Sequence, residues 1–127
     1  MGATSSTIHR VHLSIPENAT EYTIIKNMED ELTGKNISIT KTFSDSILKN
    51  ASIIVFLSNE TPRSYNQAKE IDYAKNEQNK IFYILLDVKY NQNKWVTDFI
   101  GEDGWMEYDN SIDINTIMDH FYETKPV

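Results

Sequence analysis

Two short apolar runs constrain this chain more than any other feature. Ile53-Ile54-Val55-Phe56-Leu57 stops at Ser58, and the run from Ile81 to Leu86 stops at Asp87. Runs of this length, rich in β-branched and aromatic residues, predict strands buried on both faces. Between them, Ser64-Tyr65-Asn66-Gln67 has the S-x-x-Q form of a capping box, which puts a helix start at Ser64. Ala68, Ile71 and Ala74 then supply a narrow apolar stripe to lay against a sheet. Strand, loop, helix, strand is the repeating unit of a parallel sheet.

The same alternation runs along the whole chain. Ile8 to Ser14 predicts a first strand, closed by Pro16. A helix capped by Asn18 or Thr20 follows to about Thr33, with Tyr22, Ile25, Met28 and Leu32 at helical spacing and Gly34 as its stop. Asn36 to Thr40 predicts a short second strand, and Phe43 to Asn50 a loop with a brief helix. Ser52 to Ser58 and Ile81 to Asp87 are the third and fourth strands. Trp95, Val96, Phe99 and Ile100 predict a short amphipathic helix broken by Gly101 and Gly104. Trp105 to Tyr108 is the fifth strand, and Ile112 to Tyr122 a last helix with Ile114, Ile117, Met118 and Phe121 on its apolar face. This order predicts an α/β fold: a flavodoxin-like three-layer sandwich with a five-stranded parallel sheet. Right-handed crossovers put helices on both faces. Residues 1–7 read as an irregular leader and 8–127 as one domain.

Composition removes several classes of function. The formal charge of −7 argues against phosphate-backbone binding, which needs clustered Lys and Arg, so no nucleic-acid partner is expected. Without cysteine there are no disulfides, thiolate metal sites or cysteine nucleophiles. No apolar run reaches the length of a membrane span, and the N-terminus lacks signal-peptide character, so a cytoplasmic protein without membrane contact is expected. Met1-Gly2-Ala3-Thr4-Ser5-Ser6 fits the short myristoylation pattern, but is assigned to the leader. His9, His12 and His120 share no metal-ligand spacing, and His9 and His12 fall on opposite faces of a strand. No metal or resident cofactor is expected. The acidic stretch around Glu102-Asp103 and Glu107 to Asp109 reads as a solvated loop.

One carboxylate stands out. Glu70 lies off the apolar stripe in the second turn of the third helix, on the side expected to face the strand ends. Open α/β sheets bind ligands at those ends. No Lys or Arg sits at helical spacing to pair with it, so it is expected to be unpaired and turned towards a ligand. The competing assignment is an ordinary solvent-exposed helical glutamate. A carboxylate pointing into open solvent, or neutralised by a neighbouring base, would leave a docking unit rather than an enzyme.

Leu57-Ser58, Ser64 and Glu70 resemble the third-strand and third-helix signature of TIR (Toll/interleukin-1 receptor) domains. That signature is a hydrophobic strand ending L-S-P-N, followed by S-x-W-C-x-x-E-L/I. Both serine-to-serine and serine-to-glutamate intervals match, Ile71 and Ala74 follow as apolar positions, and Lys80 to Leu86 resembles the fourth strand. Val11 to Ile15 resembles the first strand, with Ser14 at its serine. The likeness covers roughly residues 45–87 and is topological elsewhere. Asn66-Gln67 stand where the family has Trp-Cys, Ile15-Pro16-Glu17 replace its first-loop motif, and the second loop lacks the family's glycine motif.

The resemblance implies a bacterial NADase-type activity: cleavage of NAD+ at the nicotinamide–ribose bond, giving nicotinamide and ADP-ribose or a cyclic ADP-ribose signal in immune-type, antiviral defence. NAD+ is then substrate and not cofactor. Glu70 is the implied catalytic residue, since a carboxylate favours the positive charge that develops on the ribose. Ser14, Phe43, Ser64 and Tyr65 are the implied substrate-binding residues. The implied partners are other copies of the domain, through TIR–TIR contacts that complete the pocket, and an effector or sensor protein. Two alternatives stand beside it: a non-catalytic TIR–TIR interaction module, and a nucleoside 2-deoxyribosyltransferase-like enzyme built around the run Glu70-Ile71-Asp72-Tyr73-Ala74. For Phe43, packing in a loop or core competes with ligand contact. For Tyr65 and Trp105, packing is the stronger expectation.

Overall fold

A computed structural model describes residues 10–16, 23–42, 51–109, 111 and 113–123. Five strands form one all-parallel sheet: β1 (Arg10–Ser14), β2 (Ser38–Thr40), β3 (Ser52–Leu57), β4 (Ile81–Leu85) and β5 (Gly104–Glu107). Their spatial order is β2-β1-β3-β4-β5, a flavodoxin-like arrangement. Four α-helices accompany it among the described residues: α1 (Thr23–Gly34), α2 (Tyr65–Asn76), α3 (Lys94–Ile100) and α4 (Ile114–Glu123). The expected α/β sandwich is therefore the observed one; β2, β3 and β4 are one or two residues shorter than expected, and β5 begins and ends one residue earlier. The brief helix expected over residues 43–50, and the caps Asn18 and Thr20, lie outside the described residues.

Alternation along the strands divides the core into two. Val11, Leu13, Ile54, Phe56, Phe82 and Ile84 point to one face, where α1 contributes Met28 and Leu32, and α4 contributes Ile117 and Phe121. Ile53, Val55, Leu57, Tyr83 and Leu85 point to the other, under Ile71 and Ala74 of α2 and Val96 and Ile100 of α3. β3 and β4 are buried on both faces, which explains why their sequences are continuously apolar. Burying each of these large aliphatic side chains contributes about 1.5–3 kcal/mol.

Strand order reverses direction between β1 and β3. From β1 the chain crosses one face of the sheet through α1 to reach β2; from β3 it crosses the opposite face through α2 to reach β4. The carboxyl ends of β1 and β3 therefore lead to helices on opposite faces of the sheet, the kind of switch point at which open α/β sheets take ligands.

Candidate functional site

The loop from β3 into α2 is tied down by its own short polar side chains. Ser58 N–H donates to Thr61 Oγ1 (2.9 Å), Glu60 N–H to Ser58 Oγ (3.0 Å), and Asn59 N–H to Asp87 Oδ1 (2.8 Å) at the end of β4. A single 3-10 turn, Thr61–Arg63, with Pro62 near its start, delivers the chain to Ser64. Ser64 is the N-cap of α2: its backbone is extended, and its hydroxyl accepts from Gln67 N–H at 3.3 Å. The helix start read from the capping box is thus found, but the Gln67 side chain does not fold back to Ser64.

Gln67 goes to the sheet instead. Its Nε2 donates to Ser14 O of β1 at 3.1 Å and to Phe56 O of β3 at 2.7 Å, so one amide spans the divergence between the two strands. The side chain is fully buried, and its Oε1 has no hydrogen-bond partner among the described residues.

The buried stripe of α2 is Gln67, Glu70, Ile71 and Ala74, spaced i, i+3, i+4, i+7. This corrects two expectations. Ala68 is exposed and off the stripe, and Glu70 is on it. Helical phase is set by the residues that dock, and two polar side chains dock here because the sheet offers them polar partners.

Those partners come from β1 and β3, with Thr40 of β2 behind His12. His12 Nε2 contacts Glu70 Oε2, and Ser14 Oγ donates to Glu70 Oε1 at 2.9 Å. His12 and Ser14 are two residues apart on one strand and so share a face. The other imidazole nitrogen, Nδ1, lies 2.9 Å from Thr40 Oγ1, because His12 and Thr40 are register partners on β1 and β2. Glu70 is 4% exposed and His12 and Ser14 are fully buried. The expected unpaired, ligand-facing carboxylate is therefore corrected: Glu70 has a neighbouring base and a hydroxyl on its two oxygens. The competing exposed helical glutamate is corrected as well.

The chain Thr40–His12–Glu70–Ser14 has the carboxylate between imidazole and hydroxyl. A nucleophilic serine needs the imidazole in the middle, so this arrangement does not activate Ser14 for attack. What it can do is hold an oriented, buried carboxylate whose remaining lone pairs can accept from a ligand hydroxyl.

Of the site residues expected from sequence, the structure brings together Glu70 and Ser14. Ser64 is buried as the helix cap, one turn before Gln67. Tyr65 is 72% exposed with Lys69 Nζ over its ring at 5.3 Å, on the solvent side of α2 and away from the buried group. Phe43 lies outside the described residues. Trp105 is stacked on Tyr90, with centroids 4.1 Å apart, at the far edge of the sheet. Sequence reasoning missed His12, Thr40 and Gln67. A histidine inside a strand as apolar as Val11-His12-Leu13 was the available signal, since burial of an imidazole requires partners.

Among the described residues, no group of three or more histidine or acidic side chains could hold a metal, and no helix is long and apolar enough to cross a membrane. No protein-family model matches the chain, and no curated protein matches it.

Proposed function

We propose that this chain is a TIR-type enzyme that cleaves NAD+ at the nicotinamide–ribose bond, with Glu70 stabilising the positive charge that forms on the ribose. The observation that carries this reading is a buried carboxylate held beside the diverging carboxyl ends of β1 and β3. The spacing of Ser58, Ser64 and Glu70, with its resemblance to TIR domains, supplies the choice of substrate.

The chemistry asks little beyond that carboxylate. As the bond breaks, its electron pair passes to the pyridinium nitrogen and neutral nicotinamide leaves without being protonated. An oxocarbenium-like ribose remains, stabilised by the negative charge. Water adds to that carbon and loses a proton, giving ADP-ribose; an internal nucleophile gives a cyclic ADP-ribose. Two carboxylate oxygens provide about four acceptor positions, of which His12 and Ser14 take two among the described residues, and a ribose hydroxyl would use one of the others. Self-association through TIR–TIR contacts, with a neighbouring copy completing the pocket, belongs to the same proposal.

A second reading is a non-catalytic interaction module, favoured by the near-complete enclosure of Glu70. One experiment separates the two. The purified chain is incubated with NAD+ across a range of protein concentrations, and the products are resolved by chromatography. Catalysis predicts nicotinamide release whose rate per molecule rises with concentration, and its loss in Glu70→Ala. Association without nicotinamide would assign the interaction module, and an unchanged rate in Glu70→Ala would remove Glu70 from the chemistry.

A further inference from the structure

The pairing of Glu70 with His12 raises a question that decides whether the carboxylate can act at all. An imidazolium would cancel its charge; a neutral imidazole would orient it and leave the charge intact. The two ring nitrogens have different neighbours, and that difference bears on the answer. Nε2 faces Glu70 Oε2, which in a carboxylate only accepts, so Nε2 must carry a hydrogen. Nδ1 faces Thr40 Oγ1 at 2.9 Å, and a hydroxyl can either donate or accept. A hydroxyl that donates to Nδ1 supplies what a bare ring nitrogen needs.

We propose that His12 is a positioning residue for Glu70, kept in its neutral, Nε2-protonated form by a hydrogen bond donated from Thr40 Oγ1 to Nδ1. Thr40 selects the tautomer, His12 fixes Oε2, Ser14 fixes Oε1, and the carboxylate keeps its full negative charge in a set orientation. The sequence places the parts for this: parallel pairing of β1 with β2 sets Thr40 directly beside His12, and α2 brings Glu70 onto His12 and Ser14. The catalytic half of this inference rests on the proposed NAD+ cleavage; the protonation half does not.

Imidazole 15N spectra of the labelled 127-residue chain at pH 7, without NAD+, test the first half. The expected His12 signature is a protonated Nε2 with a bare, hydrogen-bonded Nδ1, and in Thr40→Val the Nδ1 resonance shifts towards a bare nitrogen without a donor. An imidazolium signature, a proton on Nδ1, or a His12 spectrum unmoved by Thr40→Val would overturn it. Steady-state kinetics test the second half. His12→Phe is expected to lower kcat by about 100-fold with KM little changed, the scale of a misplaced catalytic group. His12→Gln, which retains a neutral donor, is expected to restore part of kcat. Equal loss of kcat in both variants, with both folded, would reduce His12 to a packing role. Absence of cleavage by the wild-type protein would instead overturn the proposed function and leave the spectral result to stand or fall alone.

Discussion

Gln67 bridges two strands with one side-chain nitrogen, donating to Ser14 O at 3.1 Å and Phe56 O at 2.7 Å. This contact fixes α2 at the point where β1 and β3 part, and Glu70 sits one helical turn further on. Gln67→Leu keeps the volume roughly but removes the donor from two buried carbonyls. The expected cost is about 1–3 kcal/mol, measured as a lower urea midpoint at unchanged slope.

Ser64 caps α2 by accepting from Gln67 N–H. Ser64→Ala is expected to cost about 1 kcal/mol, and Ser64→Thr to keep most of the wild-type stability, because a threonine hydroxyl accepts the same bond without burying a charge. Thermal or urea unfolding of the pair checks this. If NAD+ turnover fell in Ser64→Thr while stability held, Ser64 would have a role in binding beyond the cap.

Gly101 ends α3 with φ 57° and ψ −122°, a conformation that strains any residue with a Cβ. An added Cβ would meet only Lys75 Nζ, at 3.9 Å, so the cost of Gly101→Ala is conformational and not steric. About 1–3 kcal/mol of destabilisation is expected. Gly34→Ala is the contrast: Gly34 is the last residue of α1, its φ is not positive and no described atom lies within 4 Å of the new Cβ, so about 0.4–1 kcal/mol of stabilisation is expected.

Burial holds the Asp103 carboxyl above the ordinary carboxylate range, against the opposing pull of Lys75 and with some help from Glu102. The folded protein therefore keeps this proton to a higher pH than the unfolded chain, whose aspartate titrates near 3.8. Stability contributed by Asp103 is fully present below that value and is lost as pH rises through the folded pKa. Asp103→Asn lacks this loss. Stability of the variant relative to wild type should rise with pH just above 3.8 and then level off, in urea titrations at matched ionic strength. A flat difference would show that the group titrates alike in both states.

The architecture was legible because it is written in local periodicity. The doubly buried β3 and β4 are continuous apolar runs, α4 has Ile114, Ile117, Met118 and Phe121 at helical spacing, and the Ser64 cap marks the start of α2. The stripe of α2 was misread for an instructive reason. Hydrophobicity pointed to Ala68, whereas the face that docks carries Gln67 and Glu70, whose polarity is satisfied by groups far along the chain.

By itself the sequence determined the order of strands and helices and marked Glu70 as a residue worth following, since run length, spacing and capping are properties of neighbouring residues. Only the tertiary structure decided the company that Glu70 keeps. His12 lies 58 positions away and Ser14 lies 56, and Thr40 reaches His12 through the pairing of β1 with β2. Strand register and helix docking set such contacts, and both arise from burying the two apolar layers together, so no local pattern carries them.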